Sequence, residues 1–327
     1  MDSFEDRIAV ITGGGTGMGR ELARQLAASG CHVAMCDVSE ENMMQTKALC
    51  EAESGERGGS LRISTHVADV SDESQVLAFR DAVMREHETD CVHLVFNNAG
   101  IGGAGSLILD DREAWEKTFD VCWYGVYYGT RAFLPLLMAA EEGHLVNTSS
   151  VNGFWASVGP DTAHTAYSAA KFAVKGFTEA LINDFKLNAP HLSVSLVMPG
   201  HIGTSIVINS GRVLGSDPKE MSDADLEEAR ELMTRRGIDL GSATNEQIRQ
   251  ALVMMGESFR DDAPMTAAEA ATIILDGVRE NRWRILVGED AKALDRLVRE
   301  DPEGAYTREF MERLTAETDW KLGNLGV

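Results

Sequence analysis

Short apolar, β-branched runs alternate along this chain with longer stretches whose apolar residues recur every three to four positions, the pattern of strand–helix–strand units that build a parallel sheet. Strands are expected at 8–12, 32–36, 61–67, 92–96, 144–149, 193–198 and 284–287. Several are apolar almost throughout, as strands covered on both faces by helices are. An α/β fold with a doubly wound, seven-stranded parallel sheet and helices on both faces accommodates them. Leu22, Ala23, Leu26 and Ala27 draw an apolar stripe on a helix after the first strand, and 71–86 and 111–140 carry two more helical patterns. The Gly- and Ser-containing stretch 54–60 has no apolar period and reads as a surface loop.

The rhythm breaks over 205–263, where turn signals separate helical pieces carrying Met221, Met233, Met254, Met255 and Phe259. This segment reads as a helical lid or substrate cap inserted into one domain spanning 1–327. Those side chains either meet a bulky apolar substrate or form the lid's own core. Thr266, with Glu269 three residues on, makes a capping box that restarts the regular pattern before the last strand.

Composition narrows the class of partner. Asp and Glu number 52 against 30 Lys and Arg, a formal charge of −22, which disfavours a nucleic-acid or anionic membrane surface. With 44% hydrophobic and 25% charged residues the chain has the makeup of an ordinary globular protein. No apolar run approaches the roughly 18 residues of a membrane span, and the N-terminus is acidic where a secretory signal is basic. Five cysteines, odd in number and without zinc-site spacing, point to reduced thiols in a cytoplasmic protein. No metal ligand set is expected: His164 and His201 lie near site motifs but in no ligand spacing.

Candidate chemistry begins where the first strand ends. Gly13, Gly14, Gly15, Thr16, Gly17, Met18 and Gly19 run from that strand straight into the Leu22/Leu26 helix. A Gly-rich turn lets backbone N–H groups approach a pyrophosphate, and the helix N-terminus adds partial positive charge. The lysine of a nucleotide-hydrolysing phosphate loop is absent. Asp37, at the end of the second strand, can accept both ribose hydroxyls of an adenosine and repels a 2′-phosphate, while Val38 and Ser39 supply no cation. NAD rather than NADP is therefore expected, unless Asp37 is merely a turn or capping acid.

These motifs, in their order, resemble the short-chain dehydrogenase/reductase family over nearly the whole chain. Gly13, Gly17 and Gly19 match its cofactor loop, Asp69 and Val70 its adenine-contacting pair, and Asn97, Asn98, Ala99 and Gly100 its sheet-centre motif. Ser150, Tyr167 and Lys171 match its active site, with Ser150 preferred over Ser149. Pro199, Gly200, Ile202 and Thr204 match its nicotinamide-facing loop. The resemblance implies a Rossmann-type sheet, a small-molecule substrate and a homodimer or homotetramer packed through the helices at 115–140 and 167–187. It also implies hydride transfer between a secondary alcohol or ketone and the nicotinamide, with Tyr167 as general acid/base, Ser150 holding the substrate oxygen and Lys171 contacting the ribose. Tyr167 and Lys171 stand four apart, one helical turn, so the ammonium is expected to lower the phenol pKa by about two units.

One position departs from the family. Cys122 stands where an asparagine marks a kinked helix that serves a proton relay, which replaces an amide by a weakly hydrogen-bonding thiol. A noncatalytic NAD-binding sensor or scaffold, and an NAD-dependent isomerase on the same fold, are the alternatives this leaves open.

Overall fold

The computed structural model describes residues 1, 3–54, 61–103, 105–159, 162–235, 240–318 and 320. In chain order the elements are β1 (Ile8–Thr12), α1 (Gly17–Ala28), β2 (His32–Asp37), α2 (Glu40–Glu53), β3 (Ile63–Val67), α3 (Glu73–Glu86) and β4 (Leu94–Asn97). Then come α4 (Arg112–Phe119), a π-helical segment (Asp120–Tyr124), α5 (Gly125–Ala139), β5 (Gly143–Thr148), α6 (Thr165–Asn188) and β6 (Leu192–Pro199). The remainder is β7 (Ile202–Gly203), α7 (Ile206–Val213), α8 (Asp223–Arg235), α9 (Asn245–Asp261), β8 (Met265–Thr266), α10 (Ala267–Arg279), β9 (Arg284–Val287), α11 (Glu289–Glu300) and α12 (Arg308–Glu317). Apart from Ser54, the loop expected at 54–60 lies outside the described residues.

Seven strands form one all-parallel sheet in the order β3-β2-β1-β4-β5-β6-β9, the expected doubly wound architecture. Each sheet face is sealed by its own apolar cluster. Leu22, Leu26 and Ala271 of α1 and α10 pack on one, and Phe79, Phe133 and Leu181 of α3, α5 and α6 on the other. The order in which strands are added reverses between β1 and β4, and a parallel sheet opens a crevice at such a switch point, outside the carboxyl ends of its strands. The Gly-rich loop after β1 and the Asn-Ala-Gly turn after β4 both emerge there.

Two elements differ from expectation. The pattern at 111–140 is not one helix: Gly125 N–H bonds back to the Asp120 carbonyl, five residues earlier, so a π-helical segment separates α4 from α5. One inserted residue shifts the apolar phase too little to break the sequence pattern. The segment 205–263 is bracketed by β7 and β8, which pair in parallel at Ile202↔Met265 and Gly203↔Thr266, so the excursion leaves and returns at one place. Thr266 caps α10 with Glu269 in the expected capping box. Beyond β9, α11 and α12 build a further cluster around Trp155, with Phe310 and Trp320 against its ring.

Candidate active site

The end of β1 is tied to the turn after β4 by one hydroxyl. Thr12 Oγ1 accepts from the N–H groups of Asn98 and Ala99, both at 3.0 Å, and Asn98 Nδ2 donates to the Thr12 carbonyl at 3.1 Å. Gly13 and Gly17 take φ of +70° and +54°, left-handed conformations that favour glycine. A Cβ on Gly13 would lie 2.8 Å from the Ala99 backbone, and one on Gly19 2.0 Å from the Gly13 carbonyl. The loop thus packs backbone on backbone and leads into α1, whose first turn carries no acidic residue to neutralise its positive end.

A groove of about 850 Å³, counting its solvent-open side, runs over this turn. Gly13, Thr16, Gly17, Met18, Asp37, Asp69, Val70, Asn98, Ala99, Gly100 and Thr204 line it, all residues picked out in the sequence. Gly15 stands behind, its N–H donating to Asp37 Oδ2 at 3.0 Å, and Gly19 supports Gly13 from below. Pro199, Gly200 and Ile202 are set back from these walls. Pro199 closes β6, Ile202 is buried in the core, and a Cβ at Gly200 would meet the Asp290 carboxylate at 2.3 Å.

Sequence reading missed Val38, Ala68, Ile101, Val121, Ile206, Asn209 and Val213, which complete the lining. The last three share one face of α7, and the 3–4–7 spacing was the available signal. Two hydrogen bonds strap α7 down: Asn209 Nδ2 to Thr16 Oγ1 at 3.0 Å, and Gly102 N–H to Ser210 Oγ at 2.8 Å.

Asp37 is partly a turn acid, since its Oδ1 also accepts from Ser39 N–H at 3.0 Å. An ionised carboxylate offers about four acceptor positions, so room remains for ribose hydroxyls. The expectation that no cation lies near Asp37 needs correction: Arg20, on α1, is close enough to feel its charge. Sequence distance hid it. Its guanidinium is engaged by the Gly15 and Asn42 carbonyls and by Thr46 Oγ1. The loop, the helix terminus and the free side of Asp37 fit the pyrophosphate and adenosine of a dinucleotide.

Ser150, Tyr167 and Lys171 stand outside this lining, and Lys171 approaches it at Gly100. β5 delivers Ser150 just beyond its carboxyl end, and α6 carries Tyr167 and Lys171 on one face. The Ser150 hydroxyl lies beside the Tyr167 phenol, where it favours the ionised form. Lys171 Nζ lies 5.3 Å from the centre of the Tyr167 ring, donates to the Thr148 carbonyl at 3.0 Å, and sits 3.5 Å from where a Gly100 Cβ would be. The neighbouring Ser149 hydroxyl is used elsewhere, donating to the Lys171 carbonyl at 2.8 Å.

The lowered phenol pKa expected for Tyr167 is not what this environment gives. Burial, and next the charge of Cys122, push the hydroxyl well above its ordinary value, with the nearby Ser150 side chain acting in the opposite direction. Burial likewise pulls the Lys171 ammonium below the usual lysine value. Helical spacing predicts proximity but not desolvation, and here desolvation is the largest influence on both groups. The His164 ring packs 4.9 Å from the Tyr167 ring, and burial brings its pKa down to about 4.

Cys122 lies inside the π-helical segment, with its Sγ 3.1 Å from the Ile101 carbonyl. The irregular turn therefore exists without an asparagine, and the thiol fastens it to the loop after β4. Among the described residues no group of three or more His, Cys, Asp or Glu side chains is gathered to hold a metal ion. All five cysteines are free. No helix among those residues is long and apolar enough to cross a membrane.

A doubly wound sheet with a Gly-lined groove at its switch point defines a fold of the Rossmann class. The model of the short chain dehydrogenase family matches residues 7–213, and the chain belongs to that family. A protein of Mycobacterium tuberculosis (strain H37Rv) named as the oxidoreductase SadH is 34% identical over 299 residues, covering 91% of this chain and 92% of that protein. A short-chain dehydrogenase/reductase from Burkholderia phymatum, solved in complex with NAD, superposes with a TM-score of 0.73 at 30% identity, covering 94% of this chain and 98% of its own. A metagenomic short-chain oxidoreductase in complex with NADP gives 0.53 at 28% identity, covering 61% and 84%.

Proposed function

We propose that the chain is an NAD-dependent alcohol dehydrogenase or ketone reductase acting on a bulky, apolar secondary alcohol or its ketone. One observation supports the reading: Lys171 Nζ lies between the Tyr167 ring and Gly100, a residue of the groove wall, with Ser150 beside the phenol. The nicotinamide, when bound, accepts or donates the hydride. In reduction the Tyr167 hydroxyl, kept protonated by burial, gives its proton to the ketone oxygen, and in oxidation its phenolate takes the proton of the substrate hydroxyl, while Ser150 Oγ holds the same oxygen in place. Lys171 keeps a positive charge beside the phenol as negative charge develops, and its remaining N–H groups hold the nicotinamide ribose.

Asp37 favours NAD over NADP because a 2′-phosphate placed beside its carboxylate meets like charge. The solved relatives, one with NAD and one with NADP, support a nicotinamide cofactor of either kind, so Asp37 is the basis of the choice. In this reading 1–327 act as one domain, and 205–263 cap the substrate side of the groove. The exposed Tyr124, at the end of the π-helical segment, and the exposed Phe172, on α6, support a homo-oligomer.

The test is turnover of a panel of secondary alcohols with NAD. Tyr167→Phe is expected to lower kcat roughly 10²- to 10⁴-fold while NAD still binds, and Asp37→Ser to gain NADP use. Undiminished hydride transfer by the Tyr167→Phe protein refutes the assignment.

A further inference from the structure

At the far end of the groove from Tyr167, Asp69 is held more rigidly than its exposure requires. Its Oδ1 accepts from the Ser71 N–H at 2.9 Å and the Ser71 hydroxyl at 2.7 Å. Its Oδ2 accepts from Lys117 Nζ at 2.6 Å, and that ammonium also donates to Ser71 Oγ at 2.9 Å. Donors from two separate parts of the chain thus fix the rotation of the carboxylate. Three of its roughly four acceptor positions are filled, which leaves about one free. Asp69 and Val70 line the groove together with Val121, four residues beyond Lys117.

We propose that Lys117 is a positioning residue for the adenine end of the cofactor: it turns the Asp69 carboxylate so that the remaining acceptor position meets the exocyclic amine of adenine and rejects a base with oxygen there. The inference rests on the dinucleotide reading above. The surrounding charge explains why a cation is needed. Glu116 and Asp120 stand close by, and the Asp120 carboxyl is pushed up by burial and by the charges of Glu116 and Asp69, against the pull of Lys117. Without the ammonium, Asp69 faces like charges and swings toward water. The fold does not depend on the pair, because both side chains are about one third exposed, at 33% and 29%, and such ion pairs add little to stability.

The measurement compares KM and Kd for NAD and for nicotinamide hypoxanthine dinucleotide, which carries oxygen in place of the adenine amine. The wild type is expected to prefer NAD by roughly 10- to 100-fold, the worth of one hydrogen bond to a charged group. Lys117→Met is expected to cut that ratio about tenfold by weakening NAD, in KM rather than kcat, and Lys117→Arg to restore most of it. A ratio unchanged in Lys117→Met, or equal weakening of both dinucleotides, overturns the proposal and leaves the cofactor reading standing. A wild type that binds NAD without base preference removes the Asp69 contact and the proposal with it. Failure to bind either dinucleotide overturns the cofactor reading itself.

Discussion

The sheet side of the groove and the excursion that roofs it are both helical, yet they are held by different forces. α1 buries Leu22, Ala23, Leu26 and Ala27 along one face, against β1, β2 and α10. In the excursion α9 buries only Ile248 and Gly256, and Met254 is 64% exposed. The excursion packs Val213 and Leu214, only partly buried, against a sheet-face cluster and adds polar straps: Asn209 to Thr16, Ser210 to Gly102, and the His201 ring to the Phe259 carbonyl at 2.7 Å. Apolar burial fixes an element in place, whereas a hydrogen bond at the rim exchanges with water at a net value near 1 kcal/mol. The cofactor cradle should therefore open only with global unfolding, and the roof well before it.

Mild acid, between about pH 7 and 5, gives the largest expected break in that comparison, because histidines buried against the sheet resist protonation there. His144, 1% exposed, bonds Ser195 Oγ through Nε2 at 2.7 Å between β5 and β6, and burial brings its pKa down to about 4. His87, 3% exposed against Ser64, is brought to about 4 by burial and by the charges of His32, Arg62 and His66. The unfolded chain binds protons near 6.5 and the folded one does not, so this stability is complete above about 6.5 and is lost as pH falls toward 4. At pH 5 each group costs about 2 kcal/mol. Denaturant unfolding from pH 7 to 5 should show the loss, and His144→Gln should flatten it. No histidine lies within 205–263, so in a His201→Gln protein, whose strap from outside no longer titrates, an excursion that loosens in acid before the sheet does would break the comparison.

Glycines sharpen it at a smaller scale. Gly13 and Gly215 share a left-handed φ, +70° and +71°. An added Cβ at 13 strikes backbone, while one at 215 meets nothing within 4 Å. Both alanine variants carry the φ penalty of about 1 kcal/mol, and Gly13→Ala should lose about 1–2 kcal/mol more and weaken NAD binding. Equal midpoint shifts in thermal melts would mean that the cradle is looser than its packing implies.

The same contrast governs what could be read from residues alone. The Gly13 loop, the Tyr167/Lys171 spacing and the strands were legible because each follows a local rule: a backbone conformation, a helical turn, an alternation of burial. Arg20 beside Asp37, Asn209 on Thr16 and the Trp155 Nε1 donating to the Ala305 carbonyl were not, since their partners are distant in sequence. Desolvation of Tyr167 and Lys171 belongs to this second group. It depends on what the folded chain places around them, whereas their adjacency needs only one helix.

The smallest effect tests the roof directly. Asn209→Ala removes the side-chain bond to Thr16 and leaves both helix and loop otherwise intact, so global stability should fall by less than about 1 kcal/mol. Hydrogen exchange should nonetheless quicken across α7 while β1 and α1 keep their protection, because the strap limits local opening rather than unfolding. Thr16 lines the groove beside Asn209, so KM for NAD should rise a few-fold through a faster off-rate. Exchange that quickens equally in α1 would show that roof and cradle open as one unit, and the division between burial and straps would have to be abandoned.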